Sequence, residues 1–141
     1  MSNGRINTIH FDIVTLFPEI VDHISHGVIE KATALKKISF QCWNPRVYSP
    51  SQFGHIDDRP YGGGPGQILS PKPLMKTLEH IPHRSTRRRT VLLSPEGAPL
   101  NHHKAKELSS YEQMILVCGR YEGFDQRFIE KNIDETISIG D

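Results

Sequence analysis

Apolar and polar positions along the chain fall into short blocks separated by turn-forming residues. "IHFDIVTLF" at 9–17 is apolar, β-branched and without helical period, which predicts a buried strand. Pro18 then suits a first helical turn, and Ile20, Val21 and Ile24 have the spacing of one helix face. A second helix is expected over 28–35, after Gly27, and "ISFQCW" at 38–43 alternates as a strand does. From Asn44 to Ser70 the periodicity gives way to a stretch dense in Pro, Gly, Asp and Ser, including "DDRPYGGGPGQ" at 57–67. A structureless loop of that length in a compact domain is usually functional or disordered. Pro71 restarts a helix that runs to about His80. "TVLLS" (90–94), "MILVC" (114–118) and "ETISI" (135–139) read as three further strands. Helices near 101–109 and 124–132 lie between them, the first with Asn101 as its N-cap.

Strands alternating with helices imply an α/β fold, a mainly parallel sheet with helices on both faces. Ligands of such sheets bind at the carboxyl ends of the strands. "LLSPEG" (92–97), "LVCGRYEG" (116–123) and "ISIGD" (137–141) share one format there, an apolar strand followed by a glycine-bearing turn. Converging loops of this kind can cradle an uncharged, planar ligand through backbone groups, because glycine lets the backbone come close. Ordinary strand-to-helix turns would have the same format.

Composition narrows the class. The chain has 141 residues, 36% of them hydrophobic, and a formal net charge of +1. That is one domain's worth of globular chain, with no membrane span and no signal-peptide pattern, so a cytoplasmic location is expected. Cys42 and Cys118 lie in apolar stretches far apart in sequence, which suggests two buried, reduced thiols and not a disulfide or zinc framework. Near-neutral charge disfavours a strongly basic DNA-binding module. "HRSTRRRT" (83–90) is nonetheless basic, either a solvated loop or a contact for phosphate. His23 with His26, and His80 with His83, are spaced to share a helix face, but no third metal ligand is in view and no metal site is assigned. "GGGPG" (62–66) fits neither the phosphate loop nor the dinucleotide fingerprint. No serine–histidine nucleophile constellation is evident along the chain, and Ser94 has no identifiable base.

Four ordered motifs carry a resemblance: "DDRPYGGGPG", "LLSP-x-G", "LVCGRYEG-x-D-x-R" and "DETISIGD". Together they resemble the bacterial tRNA (guanine-N1)-methyltransferases of the SPOUT trefoil-knot class, from "LFPE" at 16–19 to the last residue. The resemblance implies methylation of N1 of the guanosine 3′ of the tRNA anticodon, with S-adenosylmethionine as cofactor. It implies a knotted cofactor pocket built from three loops. Carried onto this sequence these are Leu93, Ser94, Pro95 and Gly97; Cys118, Gly119, Tyr121, Glu122 and Gly123; and Ser138, Ile139, Gly140 and Asp141. Gly119 and Gly123 would let the chain pass close to the cofactor, with Tyr121 walling the pocket. Asp57, Asp58, Arg59, Gly62, Gly63 and Gly64 would face tRNA, with Arg59 and the arginines at 87–89 on phosphate. Asx-turn capping is the plainer role for Asp57 and Asp58. Glu122 is a candidate for a catalytic or magnesium-binding group beside the substrate, with a plain surface carboxylate as the alternative.

The chain departs from the family pattern at Glu96, where Gln is usual, at "APL" (98–100), where basic residues are usual, and at Phe124 and Phe128, where aliphatics are usual. In the family, a knot-closing helix and a C-terminal tRNA-binding domain follow the position of Asp141, and the general-base aspartate lies there. The catalytic group is therefore not assigned within residues 1–141. A chain ending at Asp141 is expected to bind cofactor weakly or not at all and to show no turnover. Family members are homodimers. The rival readings are a non-catalytic RNA-binding module on the same scaffold and, with less to support it, a nucleotide-binding hydrolase.

Overall fold

The computed structural model describes residues 8–19, 22, 27–48, 57–58, 68–69, 71–118 and 126–139. The first apolar block forms β1, Ile9–Val14, and stops three residues short of Phe17. Thr15 N–H still donates to the Trp43 carbonyl at 3.0 Å, but Thr15 Oγ1 accepts from Phe17 N–H at 3.1 Å and turns the chain outward. Pro18 and Glu19 form a turn, and Ile20, Val21 and Ile24 lie outside the described residues.

Helix α1, Val28–Ala34, ends with Lys36 in the left-handed region at φ 60. Lys36 N–H donates to the Thr33 carbonyl and Lys37 N–H to the Ala32 carbonyl, both at 2.9 Å, so the last turn closes as a Schellman-type cap on a lysine where glycine is usual. Strand β2, Ile38–Trp43, follows as expected. The aperiodic stretch is not wholly irregular: it contains a 3-10 turn, Pro45–Tyr48, and two short strands, β3 (Asp57–Asp58) and β4 (Ile68–Leu69). Their antiparallel pairing, Asp57↔Leu69 and Asp58↔Ile68, ties together the two ends of the glycine-rich segment.

Helix α2, Pro71–His80, leads into β5, Arg88–Pro99, then α3 (His102–Leu108), β6 (Gln113–Val117), α4 (Gln126–Asn132) and β7 (Glu135–Ser138). Asn101 caps α3 as its sequence position suggests, its side chain accepting from Lys104 N–H at 2.8 Å. The five long strands form one sheet in the order β2-β1-β6-β5-β7, and every neighbouring pair is parallel.

Alternation along the strands divides the core in two. Val14, Leu92, Ile115 and Val117 face Leu74 of α2 and Phe128 of α4. Val91, Met114 and Ile137 face the other way, toward Leu108 of α3 and the Phe11 side of β1. The fold is therefore the expected α/β sheet with helices on both faces. Phe128 is part of the core, while Phe124 lies outside the described residues.

Candidate cofactor site at the carboxyl edge of the sheet

The strand expected to end at Ser94 runs on to Pro99, and the reason lies in its pairing with β7. Leu93 and Ala98 both pair with Ile137, so residues 94–97 leave the ladder and rejoin it. Pairing then continues through Pro99↔Ser138, and Leu100 N–H donates to the Ser138 carbonyl at 2.8 Å. Ser94 Oγ accepts from Glu96 N–H at 3.3 Å, closing a small turn in the excursion. Gly97 is needed where the strand returns: a Cβ there would lie 2.6 Å from both Ile137 N and Thr136 C. Its lack of a side chain serves the close approach of two strands.

Beside this excursion β6 ends at Val117, and Cys118 N–H donates to the Val14 carbonyl at 2.9 Å. Since β6, β5 and β7 are neighbours, residues 93–97, Cys118 and Ser138–Ile139 meet along one edge, at the carboxyl ends of their strands. Ile139 is 68% exposed there. Gly119, Tyr121, Glu122, Gly123, Gly140 and Asp141 lie outside the described residues, as do Arg59, Gly62, Gly63 and Gly64. Asp57 and Asp58 form β3, at the mouth of the tied segment.

Among the described residues the edge carries one charged side chain, Glu96. Burial pushes the Cys118 thiol up to about 11, with a smaller contribution from Cys42, so it is a neutral thiol at physiological pH. Burial and the nearby Asp22 also raise the Cys42 thiol, and both cysteines are free and partly buried. Glu96, the departure from the family pattern, is exposed to water. Backbone groups outside a ladder, a neutral thiol and an apolar side chain suit a largely uncharged, adenosine-like ligand.

Charge is concentrated nearer the amino ends of the strands. Asp12 on β1 is fully buried, and five hydrogen bonds fill both its oxygens. Arg84 binds it through Nε at 3.1 Å and Nη2 at 3.0 Å, Trp43 Nε1 donates at 2.9 Å, Gln113 Nε2 at 2.8 Å, and His10 Nε2 lies at 3.1 Å. Burial raises the Asp12 carboxyl, but the bonds from Arg84, Gln113 and Trp43 outweigh it and leave the group below its usual range. His10 Nδ1 also stands 2.6 Å from Ser39 Oγ, so Ser39, His10 and Asp12 form a serine–histidine–aspartate row that the sequence did not reveal. Parallel register makes it, since His10 pairs with Ser39. Arg84 already neutralises Asp12, so the carboxylate has no spare charge with which to activate the histidine. The row belongs to the fold.

The basic run is largely engaged in similar work. Arg87 donates to the Ser110 carbonyl from Nε at 2.9 Å and Nη2 at 2.6 Å. Arg89 pairs with Glu135 at 3.4 Å and lies over the Tyr111 ring. Glu135 also takes Lys104 Nζ at 3.0 Å; burial opposes ionisation, but the two cations hold its carboxyl below the usual range. His80 Nδ1 stands 2.7 Å from the Lys76 carbonyl, and its ring stacks on Tyr48.

Residues 9–141 match the family model described as tRNA (Guanine-1)-methyltransferase TrmD. The chain belongs to that family. The tRNA (guanine-N(1)-)-methyltransferase of Stenotrophomonas maltophilia (strain K279a) is 45% identical to it over 133 residues, 93% of this chain and 53% of the relative. The protein of the same name from Neisseria gonorrhoeae (strain NCCP11945) is 46% identical over 130 residues, 91% of this chain and 52% of the relative. Among solved structures, the tRNA (m1G37) methyltransferase from Aquifex aeolicus aligns with TM-score 0.79 and 34% identity, covering 96% of this chain and 61% of that one. The chain spans about half the length of the curated relatives it matches.

Proposed function

We propose that this chain supplies the cofactor-binding half of an S-adenosylmethionine-dependent tRNA (guanine-N1)-methyltransferase, acting on N1 of the guanosine 3′ of the anticodon. The observation that carries this reading is the family match across residues 9–141. The convergence of residues 93–97, Cys118 and Ser138–Ile139 on one strand edge supports it. When bound, the cofactor supplies an electrophilic methyl group. The chain's own part is to hold it: backbone N–H and C=O groups of 93–97, 118–123 and 138–141 line the pocket, with Gly119 and Gly123 admitting close approach and Tyr121 closing one wall. A trefoil knot around this edge belongs to the same reading.

The tied glycine-rich segment, with Asp57, Asp58, Arg59, Gly62, Gly63 and Gly64, is assigned to tRNA. A second copy of the chain completes the assembly as a homodimer. Glu122 is the one acid within these residues proposed to act beside the substrate, alone or through a magnesium ion. The general base is assigned to the part of the relatives that this chain does not span. Among the described residues, no helix is long and apolar enough to cross a membrane, in keeping with action on tRNA in the cytoplasm.

A chimaera tests the proposal. Residues 9–141 replace the matching half of the Stenotrophomonas maltophilia relative, and transfer of labelled methyl to tRNA transcripts with G or A at position 37 is measured. Methylation of the G37 transcript only is expected. A chimaera that binds tRNA but neither binds S-adenosylmethionine nor transfers methyl would favour the RNA-binding module instead.

A further inference from the structure

One cavity among the described residues lies away from the glycine-bearing edge. It opens on the α2 and α4 face at the amino ends of β5 and β6, and holds about 510 Å3, within the ~300–1,000 Å3 of ordinary small-molecule pockets. Met75 and Leu78 of α2 and Ile115 of β6 give it an apolar wall. Three basic side chains from three separate elements reach its lining: His83 from the segment after α2, Arg88 from the first position of β5, and Lys131 from the last turn of α4.

These three differ from their basic neighbours. Arg84, Arg87 and Arg89 each satisfy a carboxylate or carbonyl of the fold. Among the described residues, the side chains of His83, Arg88 and Lys131 make no ion pair and no hydrogen bond. The lining also carries two carboxylates, Glu79 and Asp134. One oxygen of Asp134 accepts from Thr90 N–H at 2.7 Å, which fixes that carboxylate at the wall.

Such a lining selects by exclusion. A simple anion would meet Arg88 and Lys131 but also two carboxylates of opposite preference. A simple cation would meet the reverse. A purely apolar ligand would face Glu79, His83, Arg88 and Lys131 and offer none of them a partner, which is costly. What satisfies the whole set is a molecule with an anionic end, a flat apolar body and N–H donors on its rim. We propose that this amino-edge cavity is a nucleotide site, distinct from the cofactor edge, in which Arg88 and Lys131 take a phosphate, Glu79 and Asp134 accept base N–H groups, and Met75, Leu78 and Ile115 pack on the base. The nucleotide is either free or one unit of an RNA chain, since both offer the same groups.

Amide and His83 ring shifts followed by NMR test it on the 141-residue protein, with no methyl transfer or S-adenosylmethionine in the readout. The probes are guanosine 5′-monophosphate, guanosine, inorganic phosphate and a 5′-phosphorylated RNA tetramer. Saturable shifts at His83, Thr86 and Asn132 with guanosine monophosphate are expected, weakened about tenfold or more in Arg88→Ala/Lys131→Ala. Both residues are exposed, so the variant keeps its fold, and Lys31→Ala on the distant α1 should bind as the parent does. Glu79→Gln should weaken guanosine monophosphate but not inorganic phosphate. Tighter binding of the tetramer at the same residues would identify RNA as the source, and equal or weaker binding the free nucleotide. The proposal falls if no probe shifts these residues, if the double variant binds unchanged, or if inorganic phosphate binds as well as guanosine monophosphate.

Discussion

The amino half of the sheet and its carboxyl edge are held by different forces. Near the amino ends, ionised side chains join the elements: Asp12 binds Arg84 on one face, and Glu135 binds Arg89 and Lys104 on the other. At the carboxyl edge, joining is done by backbone, through the β5 excursion, the Gly97 crossing and the bond from Cys118 N–H to Val14. Stability and ligand binding are thereby separated. A lattice of charges fixes the fold away from the edge assigned to the cofactor, which among the described residues is joined by backbone.

Breaking the amino half should have the largest effect. Asp12→Ala leaves Trp43 Nε1 without its acceptor and the Arg84 guanidinium without its carboxylate, while Gln113 Nε2 keeps the Pro82 carbonyl and Arg84 Nη2 keeps Gln41. Urea unfolding should show a loss of about 3–5 kcal/mol. Glu135→Ala removes a more open pairing, in which Glu135 Oε1 and Arg89 Nε already lack partners, and should cost only about 1 kcal/mol. Equal losses from the two variants would contradict the contrast drawn between them.

The same carboxylates set the acid limit. Both have folded pKa values below their unfolded ones, so the stability they contribute is present above the ordinary carboxylate range of about 4. It is lost as pH falls through the folded values. Asp12→Asn should flatten that acid limb, which thermal melts across pH 2–7 would show; a limb identical to the parent's would remove Asp12 from the account.

At the carboxyl edge the effects are local and smaller than that of Asp12→Ala. Cys118, pushed up to about 11 from 9.0, should carry a roughly hundredfold smaller thiolate fraction than an unperturbed thiol. Labelling by a disulfide reagent at pH 8 should be correspondingly slow until urea unfolds the chain, and fast labelling of the folded protein would show that the thiol is not buried as described. Gly97→Ala should cost about 1–3 kcal/mol by forcing β5 away from β7. Unchanged stability would mean that the two backbones do not cross so closely. Away from that edge and opposite in sign, Lys36→Gly should stabilise the protein by about 1 kcal/mol, because φ 60 suits glycine better than lysine. A destabilised Lys36→Gly would contradict the α1 cap.

Much of this architecture was legible along the chain. Apolar or alternating blocks of five to nine residues marked all five long strands, and Asn101 marked the start of α3. The glycine-bearing turns pointed to the carboxyl edge, because strand order in a parallel sheet brings such turns to one side. Other features depend on register and crossing, which no single stretch encodes. The extension of β5 through "SPEGAP" requires β7, and the Ser39–His10–Asp12 row requires β1 to pair with β2 in one alignment. The basic run hides its partners for a related reason: Arg84, Arg87 and Arg89 bind Asp12, Ser110 and Glu135, each more than 20 positions away. The amino-edge cavity was invisible because α2, β5, β6 and α4 contribute only a few residues each.

The most direct measurement is a titration of S-adenosylmethionine into the chimaera, followed by amide shifts of the residues contributed by this chain. Saturable binding should perturb Leu93, Ser94, Cys118 and Ile139 and leave Asp12, Arg84 and Arg88 unmoved. Saturable binding that instead perturbs the amino edge, or no binding at all, would contradict the assignment of the cofactor to the glycine-bearing edge.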